Sequence, residues 1–291
     1  MTRSVSKNSR KSEDEKVSSF SLFTNDDLHL FNEGNHFHLY EKMGAHKIEG
    51  MQGTYFAVWA PNAEEVHLVG DFNGWEKGRH FLKPVQKSGI WEGFFPEINK
   101  GDIYKYHIQS RQNGYRVEKA DPFAMLCETP PKTGSIVWDL AYSWEDQHWM
   151  DQGRERHNLL NRPVSIYEMH LGSWKRKSEN SMLTYRELAP LLTEYLKTME
   201  FTHVEFLPVM EHPFYGSWGY QCTGYFAPSS RYGTPQDFMF LIDTLHQNNI
   251  GVILDWVPSH FATDEFALGR FDGTHIYEHA DDKQGFHPDW G

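Results

Sequence analysis

The run Asp255-Trp256-Val257-Pro258-Ser259-His260 places an ionisable carboxylate at the end of an otherwise apolar stretch, Gly251-Val252-Ile253-Leu254. A carboxylate there either caps the following segment or lines a site, because polar groups at strand ends build the active sites of parallel α/β folds. Spacing alone weighs the two readings equally. His260 lies five residues on, beyond the strand and able to face the same pocket. A lone histidine is more often structural than catalytic. His36, His38, His275, His279 and His287 tempt a metal reading. They lack a His-Glu-x-x-His pattern or a carboxylate spaced to complete a site, so solvated or structural roles are expected and no metal is implied. Cys127 and Cys222 stand in unrelated contexts and form neither a disulfide framework nor a zinc spacing.

Two kinds of element must position these groups. Residues 51 to about 142 read as short strands. Thr54–Trp59, Val66–Val69, Ile90–Phe95 and Ile103–Ile108 are apolar or aromatic runs, and turn signals fall at Gly70–Trp75 and at Asn113-Gly114. Close, regular spacing of such strands predicts a β-sandwich. After about residue 160 the pattern changes. Val164–His170, His203–Val209 and Gly251–Val257 read as strands separated by two helices. The first helix opens with the capping-box pair Thr184 and Glu187, and its apolar face is Leu188, Leu191, Leu192, Tyr195, Leu196 and Met199. The second opens at Thr234-Pro235 and carries Phe238, Leu241, Ile242 and Leu245. The order β-α-β-α-β implies parallel strands with crossover helices. An open doubly wound sheet and the beginning of a (β/α)8 barrel both fit. The absence of a Gly-rich phosphate fingerprint disfavours a nucleotide-binding sheet. The long loop 210–233 sits where barrel enzymes build their sites.

Composition narrows the function classes. The chain has 291 residues, 39% apolar and 15% aromatic, with a formal net charge of −12. That is enough for about two domains. No basic stripe marks a nucleic-acid partner, and no apolar run approaches membrane-span length. Residues 1–24 read as a polar disordered tail without a signal-peptide core, which points to a cytoplasmic protein. Residues 25–50 are a lead-in segment of short elements.

Several motifs together resemble glycogen branching enzymes of the α-amylase superfamily. DWVPSHF resembles the signature at the end of their third barrel strand. GSWGYQCTGYFAPSSRYGTP resembles the loop after the second strand, and NRPVSIYEMHLGSW the first strand. LFNEGNHFHLYEKMGAH resembles the lead-in, and FAVWAPNAEEVHLVGDFNGW an accessory module of the glycogen-binding type. The likeness runs in family order from about residue 25 to Gly291. It implies an immunoglobulin-like all-β sandwich over 51–145. It also implies the first three strands and two helices of a (β/α)8 barrel over 160–291.

The resemblance also implies roles. Tyr220 matches a tyrosine that packs against the sugar at the cleavage subsite. Asp255 and His260 match the pair that hydrogen-bonds hydroxyls of the same sugar. Trp75, Lys105 and Tyr115 fall near positions where glycogen-binding modules contact glucan, which makes them a candidate binding surface. The family transfers an α-1,4-glucan segment to form α-1,6 branches, by retaining displacement between two carboxylates and without a cofactor. Its nucleophilic Asp follows the fourth strand and its acid/base Glu the fifth, and this sequence matches neither. No catalytic residue is therefore assigned here. The chain alone is expected to position α-glucan without cleaving it, unless a complementary C-terminal chain joins it. A glucan-binding module with a vestigial barrel, and another superfamily activity such as debranching, are the competing readings. Three parallel strands alone would also leave sheet edges open to association.

Overall fold

The computed structural model describes residues 20–156, 162–178, 181–259 and 261–285. They fall into two compact units.

The first unit is a β-sandwich. Its strands are β1 (Gly44–Lys47), β2 (Thr54–Trp59), β3 (Ala63–Gly70), β4 (His80–Phe81), β5 (Lys83–Pro84), β6 (Ile90–Phe95), β7 (Ile103–Ser110) and β8 (Arg116–Lys119). One antiparallel sheet runs β1-β2-β6-β5 and the other β4-β3-β7. Both β8 and the short strand Ser135–Ile136 pair with β7. Successive side chains of a strand point to opposite faces. On β2, Phe56 meets Tyr104 of the opposite sheet with ring centroids 4.9 Å apart. Tyr55 and Ala57 face the other way, into a cluster with Phe23, Leu28, Met43 and Phe94. The lead-in segment therefore covers the back of the first sheet, which explains why every β2 residue but Trp59 is buried. Residues 20–24, read from sequence as the end of a tail, belong to this cover: Phe20 packs edge-on against Tyr55 at 6.0 Å and Phe23 is buried. Residues 1–19 lie outside the described residues.

The two Asn-Gly signals differ in outcome. Asn113 and Gly114 both have positive φ, 54° and 67°, and turn β7 tightly into β8. Asn73-Gly74 instead closes a 3-10 turn, Asp71–Asn73, inside a longer connection between β3 and β4.

The second unit holds three parallel strands, Ile166–Met169, His203–Phe206 and Gly251–Leu254, with the second in the middle. The crossover helices are Tyr185–Thr198 and Pro235–Gln247. Both begin with a complete capping box, Thr184 with Glu187 and Thr234 with Asp237. Leu188, Leu192, Leu196, Leu241 and Leu245 share one buried cluster with Val204 and Phe206. Met199, read as part of the first helix's apolar face, is its exposed C-cap. Both helices thus pack on one face of the sheet and on each other. A doubly wound sheet needs helices on both faces, whereas a (β/α)8 barrel keeps them all outside. The arrangement is that of the opening of a barrel. Within this unit a buried carboxylate ties residues 142–145 to the second helix, since Asp243 accepts from the Tyr142 hydroxyl at 2.9 Å and from the Glu145 amide.

Candidate functional site

The site forms where the third barrel strand ends. The Asp255 amide donates to the Phe206 carbonyl at 3.0 Å, which extends the ladder one residue past Leu254. Its carboxylate accepts the Tyr220 hydroxyl at 2.6 Å. Tyr220 comes from the loop after the second strand, and two local features set its position. Gly219 has φ +91°, and a Cβ there would lie 2.2 Å from the Pro208 carbonyl oxygen, so only glycine lets the backbone approach this closely. Met210–Glu211 then pairs antiparallel with Gly224–Pro228, closing the base of the loop.

A buried charge clamp fixes that base. Glu211 is 3% exposed; it accepts from the Ser230 amide at 2.7 Å and from Arg231 Nη1 at 3.0 Å. Arg231 also donates to the Pro213 carbonyl at 2.9 Å. Burial pushes the Glu211 carboxyl up, and the Ser230 and Arg231 contacts pull it back. His212 is buried beside it, with Nδ1 2.8 Å from the Met210 carbonyl oxygen, and burial pushes its pKa down to about 4. Its neutral ring adds no second cation next to Arg231. Sequence reading gave Glu211 no role. It missed the clamp, because an ion pair 20 residues apart within an irregular loop leaves no periodic signal.

The electrostatics at Tyr220 are one-sided. Its phenol is held up to about 12, first by the hydrogen bond to Asp255, then by burial and by the negative charges of Asp255, Glu168 and Glu205. Glu168 and Glu205 are register partners on adjacent strands. The phenol therefore stays a neutral donor at physiological pH. The corner offers a carboxylate acceptor beside an aromatic ring that is 38% exposed. Such a ring can lie on the apolar face of a pyranose while the carboxylate takes a hydroxyl. His260 lies outside the described residues. Among the described residues no group of three or more His, Cys, Asp or Glu side chains is placed to hold a metal. Likewise none of their helices is long and apolar enough to cross a membrane.

The sandwich positions are less concentrated. Trp75 is exposed at the turn after β3 and donates its indole N–H to Asp71 at 2.8 Å. Lys105, paired with Val69, lies near the same end of β7, with its ammonium 5.6 Å from the Phe266 ring. Tyr115 backs onto Ser110 at the other end of β7, and Gly273 lies against its ring. Gly70 pairs with Tyr104, so six residues, about 20 Å of strand, separate the Trp75 end from the Tyr115 end. The three residues do not form one compact platform.

Comparison with known proteins agrees with this architecture. Residues 42–124 match the family of carbohydrate-binding module 48, the isoamylase N-terminal domain, and residues 192–285 match the alpha-amylase catalytic domain. A solved Salmonella typhimurium structure described as an alpha amylase superposes with TM-score 0.59 at 26% identity, covering 77% of this chain and 34% of that one. A group B Streptococcus pullulanase gives TM-score 0.60 at 21% identity over 76% of this chain and 34% of its own, a likeness of fold. The chain is thus a β-sandwich module joined to the opening part of an α-amylase-type barrel. The 1,4-alpha-glucan branching enzyme GlgB of Aquifex aeolicus is 58% identical over 93% of this chain, and that of Albidiferax ferrireducens 57% over 91%. By sequence the chain is similar to GlgB branching enzymes over more than nine tenths of its own length. It spans 43% and 42% of the length of those two relatives.

Proposed function

We propose that this chain supplies the glucan-holding front of a 1,4-α-glucan branching enzyme, with residues 51–145 as the accessory carbohydrate-binding module and the chain from about 160 as the start of the catalytic barrel. The observation that carries the reading is the Tyr220–Asp255 contact, formed at 2.6 Å by two elements distant in sequence. Tyr220 gives a glucose ring its apolar floor, and Asp255 with His260 takes its hydroxyls. An incoming sugar hydroxyl replaces the tyrosine hydroxyl as a donor to Asp255. Trp75 and Lys105 form a second glucan contact on the module, and Tyr115 joins it only for a chain long enough to follow β7.

Residues 1–291 position glucan, and none of them is assigned as the group that breaks the α-1,4 bond. Positioning accelerates a reaction only when a reacting group is there to be positioned. The nucleophile and the acid/base belong to later barrel strands, in a continuation of these residues or in a complementary polypeptide, and those strands also cover the open sheet face and edges. The proposed setting is the cytoplasm, where glycogen is built.

The test uses amylose stained with iodine. Residues 1–291 by themselves should bind amylose and leave the stain unchanged, while the same residues together with the later barrel strands of a branching enzyme should shift and weaken the stain without releasing reducing ends. Release of reducing ends would point to hydrolysis or debranching. Binding with no change in stain after complementation would leave a glucan-binding module with a vestigial barrel.

A further inference from the structure

Residues 264–281 follow the third barrel strand in sequence, yet they pack within the sandwich unit. We propose that the sandwich is a two-piece module whose second piece is this segment, held in place by Lys119 at one end and by Asn62 at the other.

Lys119 is the last residue of β8 and is fully buried. Its register partner is Tyr106, so its side chain lies on the core side of the sheet. An ammonium there needs acceptors, because an unpaired buried charge is costly. The segment supplies two: the Ala267 and Gly269 carbonyl oxygens, each 2.8 Å from Nζ. The Ala120 amide continues the contact with a 2.9 Å bond to the Phe266 carbonyl. At the other end, the carboxylate of Asp272, itself fully buried, accepts from the Asn62 amide at 2.8 Å and from Asn62 Nδ2 at 3.2 Å. Asn62 Nδ2 also reaches the Thr274 hydroxyl at 3.0 Å.

The apolar contribution decides whether this is a removable strap or part of the core. Phe271 is completely buried, and Ala267 and Leu268 are nearly so. The Phe271 ring meets Tyr277 at 5.5 Å, and Tyr277 meets Trp59 of β2 at 6.2 Å. A segment with this much buried surface opens only with the sheet beneath it. It also covers ground beside Lys105 and Tyr115, through Phe266 and Gly273. The polar anchors were invisible to sequence reading because they join residues up to 212 positions apart.

The experiment is native-state hydrogen exchange on the full chain across a urea series. The amides of 264–281 should open together with those of β7 and β8, at the same urea dependence. Lys119→Met should lower protection of both pieces in parallel, by tenfold or more. Asn62→Ala, a milder change that keeps the backbone bond, should do the same to a smaller degree. Opening of 264–281 at lower urea while β7 and β8 stay protected would overturn the proposal, as would a Lys119→Met protein whose two pieces keep wild-type protection. If Lys119→Met fails to fold, the wild-type urea series still decides.

Discussion

Tyr220 and Asp255 stand 35 positions apart in sequence and meet at 2.6 Å, phenol to carboxylate, where the second barrel loop crosses the end of the third strand. The bond ties an aromatic ring and a carboxylate acceptor into one corner. Tyr220→Phe should keep the ring and lose the bond. In ultraviolet difference titration, the phenol held near 12 should disappear from wild type in this variant. Asp255→Asn should bring the same phenol down toward the ordinary tyrosine range, since its hydrogen bond to Asp255 is the largest cause of the shift.

Gly219 cannot be replaced without moving the loop. Gly219→Ala forces a Cβ toward the Pro208 carbonyl at a positive φ. The expected cost is roughly 2–3 kcal/mol, seen as a lower urea midpoint, with loss of the high-pKa tyrosine as the loop shifts.

The Glu211–Arg231 clamp should behave as a buried ion pair. Arg231→Met leaves the Glu211 carboxylate buried without its cation and should destabilise by about 3–5 kcal/mol. The double variant Glu211→Leu with Arg231→Met should cost clearly less than the two single changes added together. A double-mutant cycle in urea measures the difference.

Acid should act through buried histidines. Burial holds both His107 and His212 at about 4, against 6.5 when unfolded. Each is neutral in both states above pH 6.5. As pH falls from 6.5 toward 4, the unfolded chain takes up these protons first, so stability is lost by about 3 kcal/mol per histidine. Asp121, raised to about 6 by burial, opposes this by favouring the folded form as it protonates. Proton NMR of the ring C–H signals should therefore show two histidines still neutral at pH 5. His212→Gln should flatten the acid slope relative to wild type.

Lys119 gives the opposite edge of the pH range. Its ammonium is held down to about 8 by burial, against 10.5 when unfolded. Below pH 8 both states are charged and the burial cost is fully felt. Between pH 8 and about 9.5, still below most phenol ionisation, the folded state releases its proton first and stability rises. Urea midpoints should climb over that interval in wild type and stay level in Lys119→Met.

Much of this was legible in the sequence, for identifiable reasons. The barrel strands and helices were readable because Thr184 with Glu187, Thr234-Pro235 and the leucine spacing all report local structure. Parallel order followed from alternation of strand and helix. Asp255 stood out as a carboxylate at the end of an apolar strand, with capping and site roles equally weighted, and Tyr220 entered only through motif resemblance; the structure joins them, although nothing in their spacing required it. What escaped was long-range and polar. Glu211 with Arg231, Asp243 with Tyr142, and Lys119 with Ala267 and Gly269 satisfy buried groups by tertiary contact. The assignment of 264–281 to the sandwich escaped for the same reason. Chain order placed it after a barrel strand, while Phe271 and Asp272 are satisfied elsewhere.

The most direct test of the glucan reading is calorimetric titration of maltoheptaose into the full chain carrying Trp75→Ala, which removes the module's contact, with and without Asp255→Ala. Loss of Asp255 should weaken the remaining binding at least tenfold, about 1.4 kcal/mol, with the fold unchanged by circular dichroism. Equal affinity in the two proteins would contradict a sugar subsite at the Tyr220–Asp255 corner.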